Sequence, residues 1–306
     1  MMKIVVVGKE SAPVRAAAGD AEIRFVDSLD DAADIFGEME AVIGRVPPEV
    51  LVKASRLRWV HSPSAGVDAD LTPEMLASSV VLTSSAGNGG ISLAEHSLLL
   101  MLMLNRDVPR WMRAQADHRW DHFLHSELAG LTVGIYGLGN SGIDLALKAK
   151  AFHMRVLGVR RRPEQPSPNV DELCSLDQLL AESDFVVVTA PRTPSTAGVF
   201  DRAAFARMKP SAHFICISRG GIADDDALLE ALQTGQIAGA GLDAHGVEPL
   251  PAESPFWSLP NVIVTPHNGA TSTGTRRRSQ EIVAENVRRF VAGEPLHNVV
   301  DKSAGY

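Results

Sequence analysis

Three side chains of different chemistry follow three separate apolar runs in the second half of the sequence. Arg219 lies in ISRGG, Glu248 in GVEPL and His267 in TPHNGA. An arginine can hold a carboxylate through two parallel hydrogen bonds, and a histidine can give a proton to a carbonyl oxygen. A carboxylate beside that histidine would orient the imidazole and favour its protonated form. Together these groups have the chemistry needed to reduce a 2-keto acid by hydride transfer.

A glycine-rich motif upstream of this trio strengthens the interpretation. It consists of Gly137, Leu138, Gly139, Asn140, Ser141 and Gly142. The motif follows an apolar run at 131–136 and precedes helical spacing at 143–152. A strand, a tight turn and a helix in that order can bind a dinucleotide pyrophosphate on the backbone N–H groups of Asn140 and Ser141. The alternative is an ordinary glycine-rich turn.

The remainder of the chain alternates short apolar runs with segments of helical spacing. Strands are predicted at 3–7, 23–26, 41–43, 57–61, 80–82, 131–136, 155–159, 185–189, 213–217, 239–242 and 262–265. Helices are predicted at 47–55, 75–77, 92–104 and 275–292. This rhythm indicates the α/β class with parallel sheets. Each member of the trio then follows a strand, where open parallel sheets bind their ligands.

Seven motifs along the chain resemble those of the D-isomer-specific 2-hydroxyacid dehydrogenases. They are SAGVD at 64–68, LAEHSLLLMLML at 93–104, VGIYGLGNSG at 133–142, APRTPSTAG at 190–198, ISRGG at 217–221, GAGLDAHGVEPLP at 239–251 and NVIVTPHNGA at 261–270. The trio is also spaced as in that family, with 29 residues from Arg219 to Glu248 and 19 from Glu248 to His267. The resemblance implies that Arg219 binds substrate, Glu248 partners the histidine and His267 is the acid/base.

The family's organisation is two Rossmann-like domains, one flavodoxin-like and one NAD(P)-binding, with the active site in the cleft between them. Here the substrate-binding domain would comprise residues 1–87 and 272–306, and the NAD(P)-binding domain residues 88–271. The glycine-rich stretch at 87–90 would act as a flexible hinge. In the SAGVD motif, the backbone N–H groups of Ala65 and Gly66 would bind the substrate carboxylate together with Arg219. Arg45 could contact a polar substrate tail, or be an ordinary surface arginine.

The residues after the predicted strand at 155–159 favour NADP(H) over NAD(H). Family members that prefer NAD usually carry an aspartate there, whereas this chain has Arg160, Arg161 and Arg162. A carboxylate would repel a 2′-phosphate, and a guanidinium can bind one through two hydrogen bonds. NAD(H) is the alternative cofactor, and three solvated surface arginines are the alternative interpretation.

The resemblance implies further cofactor contacts on the loops that follow later strands. They are Ala190, Pro191, Thr196, Ile217, Ser218, Asp243, His267 and Gly269. Ala190 and Pro191 would line the adenosine, and Thr196 would lie near the pyrophosphate or a ribose. Asp243 would accept a hydrogen bond from the nicotinamide carboxamide; alternatively, it would cap a turn.

Composition and residue spacing argue against several other classes of protein. The 306-residue chain carries a net charge of −8, which argues against a broad nucleic-acid-binding surface. Its two cysteines favour a reducing cytoplasm over a disulfide framework. No Cys/His cluster has metal-ligand spacing, so no metal is expected. The apolar runs are too short to span a membrane. The family resemblance implies a homodimer built through the segment 90–125.

The leading hypothesis is an NADP(H)-dependent reductase that converts small 2-keto acids of the glyoxylate or hydroxypyruvate type to D-2-hydroxy acids. One alternative is a corepressor-like protein that senses NAD(P)H on the same fold. The other is a D-2-hydroxyacid dehydrogenase that works oxidatively. Cys216, Arg192 and Asn268 depart from the residues common in the family near the cleft, so the natural substrate's side chain stays open.

Overall fold

The computed structural model describes residues 1–162 and 167–305. The chain divides into two compact units. The first unit comprises Met1–Gly89 together with the chain from Ser272 onward, and the second comprises Gly90–Thr271. The first unit is therefore assembled from both ends of the sequence, and the second from one continuous segment.

The first unit begins with five strands that form one parallel sheet in the order β2-β1-β3-β4-β5. Its elements are β1 (Lys3–Val7), α1 (Ala12–Ala17), β2 (Glu22–Val26), a 3-10 helix (Leu29–Ile35), β3 (Ala41–Ile43), α2 (Pro48–Lys53), β4 (Trp59–Ser62), α3 (Pro73–Ala77) and β5 (Val81–Ser84). Strand order 2-1-3-4-5 is that of a flavodoxin-like fold. Strand β1 reads as a continuous apolar run because the sheet is covered on both faces, which leaves Ile4 and Val5 fully buried.

The second unit is built on a parallel sheet of seven strands in the order β12-β11-β10-β9-β6-β7-β8. Its elements are α4 (Gly90–Asn105), α5 (Val108–Ala116), β6 (Thr132–Tyr136), α6 (Asn140–Ala151), β7 (Arg155–Val159), β8 (Glu172–Leu173), α7 (Leu176–Glu182), β9 (Phe185–Val188), α8 (Arg202–Arg207), β10 (His213–Cys216), α9 (Asp225–Gln233), β11 (Gly239–Leu242), a 3-10 helix (Pro255–Trp257) and β12 (Val262–Val264). The strand order reverses between β6 and β9, and ligands bind at such a switch point.

The last helix, α10 (Thr273–Ala292), completes the core of the first unit. It packs against α1, and Phe290 lies 5.0 Å from the ring of Trp59 in β4. Beyond the helix, Ser84 at the end of β5 donates its backbone N–H to the carbonyl of Asn298. The sheet of the first unit thus gains packing and hydrogen bonds from residues more than 200 positions away in the sequence.

The predicted fold class, α/β with parallel sheets, is confirmed, and the predicted strands fall within a few residues of those observed. The long apolar helix predicted at 92–104 is α4, which runs from Gly90 to Asn105. It buries one face, including Leu100 and Met101, and leaves Leu99 half exposed. In the part of the chain that the structure describes, no helix combines the length and apolarity needed to cross a membrane.

The glycine-rich stretch predicted as a hinge forms a turn that runs directly into α4. Asn88, Gly89 and Gly90 are buried, and the Asn88 carbonyl accepts a 2.6 Å hydrogen bond from Arg278 Nε of the same unit. The small residues of this stretch therefore allow the backbone to pack closely against its surroundings. Hinge motion at this point stays a prediction.

Candidate active site

The glycine motif spans the turn after β6 and the first turn of α6, as its sequence context predicts. Gly142 is packed against the turn, since a Cβ at that position would stand 2.2 Å from the carbonyl oxygen of Gly137. Gly139 is the N-cap of α6, provides no side-chain cap, and has nothing within 4 Å of where its Cβ would be. The space beside the N-cap of this twelve-residue helix is therefore open, and Gly139 and Asn140 are exposed. This arrangement fits the phosphates of a dinucleotide.

The strands on either side of β6 bring other predicted cofactor residues to the same edge of the sheet. After β9, the Ala190 backbone lies against Gly137, with 2.5 Å between its nitrogen and a Cβ built on that glycine. The Thr196 hydroxyl donates to the Pro191 carbonyl at 2.7 Å and accepts from the Thr193 N–H at 2.8 Å. The loop at 190–196 is therefore organised by its own hydrogen bonds next to the glycine turn.

The predicted arginine cluster follows β7, the strand on the other side of β6. Arg160 Nη1 donates a 2.8 Å hydrogen bond to the Ser167 hydroxyl, and Arg161 and Arg162 are exposed. Because β6 and β7 are adjacent and parallel, the cluster and the glycine turn share the carboxyl edge of the sheet.

Arg219, Glu248 and His267 follow β10, β11 and β12, which are three consecutive neighbours in the sheet. Parallel neighbours end at one edge, so the loops that carry the trio are side by side. The first two loops are in direct backbone contact, because a Cβ on Gly220 would lie 1.8 Å from the His245 carbonyl oxygen. Only glycine permits this approach between the loop of Arg219 and the loop of Glu248.

His267 and Glu248 form a hydrogen-bonded pair. The imidazole Nδ1 lies 2.8 Å from Glu248 Oε2 and 2.9 Å from Oε1, and both side chains are about one-third exposed, at 35% and 37%. An ionised carboxylate can only accept, so Nδ1–H donates and Nε2 lies on the opposite side of the ring. This is the geometry of a histidine that exchanges a proton at Nε2 while a carboxylate holds its orientation.

A residue that the sequence interpretation did not single out, His245, supports the pair. Its backbone N–H donates to Glu248 Oε1 at 2.9 Å, and its ring Nε2 lies 3.0 Å from the Thr265 carbonyl. Burial alone would raise the pKa of Glu248, but the hydrogen bonds from His245 and His267 lower it overall. Glu248 is therefore an ionised partner at neutral pH. The spacing of three residues between His245 and Glu248 is typical of a turn. This spacing was the signal in the sequence from which the contact could have been predicted.

Asp243 follows β11 and is fully buried, with 0% exposure. Its oxygens accept hydrogen bonds from the Thr265 hydroxyl at 2.7 Å and from the backbone N–H groups of Asn268 and Gly269 at 3.0 Å each. The structure thus places two predicted cofactor residues, Asp243 and Gly269, in contact with each other. The Asp243 carboxylate is hydrogen-bonded to the loop that carries His267.

Two predicted cofactor residues, Ile217 and Ser218, connect β10 to Arg219. Both are buried. Arg219 Nη1 donates to the Ser218 carbonyl at 2.8 Å. Burial raises the pKa of the neighbouring Cys216 thiol, and the hydrogen bonds that this thiol makes with Ser218 and Arg219 offset the rise only in part.

The predicted carboxylate-binding residues Ala65 and Gly66 belong to the first unit, in the loop after β4. The backbone N–H of Ser85 donates to the carbonyls of Ser62 and Ser64 at 3.1 and 3.0 Å, which fixes the start of this loop. Ala65 itself is exposed and Gly66 half-buried.

Behind that loop lies His61, another residue that the sequence interpretation left to ordinary packing. It is fully buried and bridges the hydroxyls of Thr83 at 2.8 Å and Ser85 at 3.1 Å. Arg45 has a 62% exposed side chain whose Nε is 3.9 Å from Asp70 Oδ1, which agrees with the surface alternative.

Comparison with known proteins places the chain in one family. Residues 98–269 match the model of the D-isomer specific 2-hydroxyacid dehydrogenase NAD-binding domain. A structure of an NADPH-dependent glyoxylate/hydroxypyruvate reductase from Sinorhizobium meliloti, in complex with NADP and sulfate, is 31% identical with a TM-score of 0.86 over 100% of both chains. The chain therefore belongs to the D-isomer-specific 2-hydroxyacid dehydrogenase family.

Curated relatives carry more than one name. The glyoxylate/hydroxypyruvate reductase B of Pectobacterium carotovorum is 35% identical over 92% of this chain and 90% of its own length. The D-3-phosphoglycerate dehydrogenase of Mycobacterium tuberculosis is 34% identical over 99% of this chain. The chain spans 60% of the length of that second relative.

Proposed function

We propose that this protein is an NADP(H)-dependent oxidoreductase that reduces small 2-keto acids of the glyoxylate or hydroxypyruvate type to D-2-hydroxy acids. The observation that carries the proposal is the His267–Glu248 pair, with Nδ1 2.8 Å from the carboxylate. It stands on the same sheet edge as Arg219 and the glycine turn. An oriented acid/base, a carboxylate-binding arginine and a dinucleotide turn are together the parts that such a reduction needs.

Each residue of the trio has a defined task in this reaction. Arg219 binds the substrate carboxylate through its guanidinium fork. His267 gives a proton from Nε2 to the keto oxygen and, in the reverse direction, takes it from the hydroxyl. Glu248 stabilises the protonated imidazole and fixes its orientation. A reduced nicotinamide, when bound, supplies the hydride that completes the reduction.

The proposed cofactor residues are the glycine turn at 137–142, the loop at 190–196 and the cluster Arg160–Arg162. NADP(H) is favoured because three guanidinium groups stand where a carboxylate would repel a 2′-phosphate. The Sinorhizobium meliloti structure, which contains NADP, supports the same choice. The double substitution Arg160→Asp with Arg161→Ser should shift the kcat/KM ratio toward NADH by at least roughly tenfold. A ratio that stays within a few-fold of the wild type would refute the NADP assignment.

We assign the nucleotide to the second unit and the substrate-carboxylate loop, through the N–H groups of Ala65 and Gly66, to the first. The segment 90–125 is the proposed homodimer surface. Two side chains just after α5, Trp120 and Leu124, are almost fully exposed, at 96% and 98%. Aromatic side chains are enriched at protein interfaces, so the exposed Trp120 supports this assignment.

The direct experiment follows the absorbance of NADPH and, separately, NADH at the reduced-nicotinamide band. The substrates are glyoxylate, hydroxypyruvate, pyruvate, phenylpyruvate and 3-phosphohydroxypyruvate, the last because of the relatives named D-3-phosphoglycerate dehydrogenase. Turnover of glyoxylate or hydroxypyruvate with NADPH is the expected result. A clear preference for the phosphorylated keto acid would replace the substrate class. Tight NADPH binding without any turnover would favour the sensing protein.

A further inference from the structure

The loop that carries His267 is fixed by one buried carboxylate. Asp243 Oδ1 accepts from the Thr265 hydroxyl and from the Asn268 N–H, and Oδ2 accepts from the Gly269 N–H, at 2.7, 3.0 and 3.0 Å. Thr265 precedes His267 and the two N–H donors follow it. The carboxylate therefore holds the loop on both sides of the residue proposed to move the proton.

The backbone of His267 needs such support. Its φ is +49°, in the left-handed region that residues other than glycine rarely adopt. A conformation of this kind costs roughly 1 kcal/mol or more and persists where surrounding contacts impose it. The hydrogen bonds to Asp243 supply those contacts, and they also satisfy two backbone N–H groups of the turn.

A second side chain, His96 in α4, completes the arrangement. Its Nε2 lies 3.0 Å from Thr265 Oγ1 and 3.5 Å from Asp243 Oδ1, and only 12% of its side chain is exposed. Because the Thr265 hydroxyl donates to Asp243, its oxygen can accept from His96 Nε2–H. The motif LAEHSLLLMLML contains His96, and the sequence interpretation assigned it no role.

From these contacts we infer that Asp243 and Thr265, supported by His96, are positioning residues that hold His267 at the geometry of proton transfer. This inference rests on the proposed function. It differs from the expectation that Asp243 accepts a hydrogen bond from the nicotinamide carboxamide. The Asp243 side chain is fully buried, and the three donors and His96 surround its two oxygens.

The electrostatics of Asp243 agree with this role. Burial alone would raise the pKa of its carboxyl, but the hydrogen bonds from His96, Thr265 and Gly269 bring that pKa well below its usual range. Asp243 is therefore an ionised acceptor throughout the neutral range, and it can hold its donors at every pH at which the reduction would be assayed.

The test uses the hydroxyl of Thr265, because its removal need not disturb the fold. Thr265→Val replaces the hydroxyl with a methyl group of similar size, and Thr265→Ser is the matched control that keeps it. We expect the valine variant to lose roughly 10- to 100-fold in kcat, since small misplacements of a reacting group have effects of this size. The KM for the keto acid and the Kd for NADPH, measured by its fluorescence, should stay within a few-fold. The serine variant should keep most of the activity.

The second substitution, Asp243→Asn, separates the two roles of the carboxylate. A large fall in kcat with unchanged NADPH affinity supports positioning. A rise of tenfold or more in the NADPH Kd, with kcat retained at saturation, would establish a cofactor contact and overturn the inference.

One readout does not depend on turnover. Hydrogen exchange of the Asn268 and Gly269 amides should accelerate in Thr265→Val relative to Thr265→Ser, while exchange in the sheet of the second unit stays unchanged. Equal protection of these amides in the two variants would contradict the inference. Because exchange needs no substrate, a wild-type protein without reductase activity would refute the proposed function and leave this measurement intact.

Discussion

Gly142 at the start of α6 lies against the carbonyl oxygen of Gly137 so closely that no side chain fits between them, because a Cβ would stand 2.2 Å away. Gly142→Ala should therefore displace the helix from the turn whether or not a nucleotide is present. We expect the second unit to lose roughly 1–3 kcal/mol of stability from this overpacking. Thermal unfolding without cofactor measures the loss, and an unchanged Tm would contradict the packing argument.

Gly139→Ala is the matched control within the same motif. Nothing in the second unit lies within 4 Å of a Cβ at this position, so the Tm of the cofactor-free protein should stay unchanged. If the pyrophosphate approaches the N-cap as proposed, the added methyl group should weaken NADPH binding at least tenfold. Isothermal titration with NADPH decides this, and full affinity in Gly139→Ala would place the phosphates elsewhere.

The pair of His267 and Glu248 predicts two different losses of activity. His267→Ala removes the proton donor and should lower kcat by roughly 10²–10⁴ with little change in NADPH affinity. Glu248→Gln retains an oxygen that can accept from Nδ1–H but removes the negative charge. Its kcat should fall by less than that of His267→Ala, because the amide oxygen can still orient the imidazole through Nδ1–H. Equal losses of kcat in the two variants would contradict this orienting role.

Arg219 should be sensitive to a change that preserves its charge. Lysine offers a point charge in place of the two parallel donors of a guanidinium. Arg219→Lys should raise the KM for glyoxylate at least tenfold while the NADPH Kd stays within a few-fold. Steady-state kinetics and titration measure the two quantities, and the reverse pattern would assign Arg219 to the cofactor.

His61 makes the stability of the first unit depend on pH. Burial lowers its pKa from 6.5 to about 4, so the unfolded chain binds a proton at a higher pH than the folded unit does. The first unit therefore has its full stability above pH 6.5. As the pH falls toward 4, its free energy of unfolding decreases by a total of about 3 kcal/mol. His61→Gln, which cannot titrate, should lose less stability over this range.

Trp59 reports on this unit directly. It is fully buried, and its Nε1–H donates to the Thr83 hydroxyl that also contacts His61. With Trp111, Trp120 and Trp257 replaced by phenylalanine, Trp59 fluorescence follows unfolding of the first unit alone. The same acid sensitivity in His61→Gln and in its parent would show that another group is responsible.

The sequence predicted the strands and the trio because both depend on local patterns. Apolar runs identify buried parallel strands, and the motifs around Arg219, Glu248 and His267 each lie directly after one. The support around the trio could not be predicted in this way. His96 meets Thr265 across 169 residues of sequence, and this contact follows from how α4 packs on the sheet. Periodicity does not encode such packing.

The role of a polar residue was harder to predict than its place. Asp243 was expected at the carboxyl edge of β11 and lies there. The partners of its two oxygens depend on the conformation of the loop after β12, where His267 has positive φ. A single sequence identifies Asp243 as a polar residue in a motif, but it cannot distinguish a ligand contact from a loop contact.

The placement of α10 also constrains the order of assembly on the ribosome. Synthesis delivers residues 90–271 in full before Phe290 and Asn298 exist to pack on Trp59 and pair with β5. The nascent second unit can therefore reach its native fold while the first 89 residues still lack part of their core. Residues 1–89 are therefore synthesised before the second unit but can complete their core only after α10 has been made, which prolongs their exposure to chaperones and proteases.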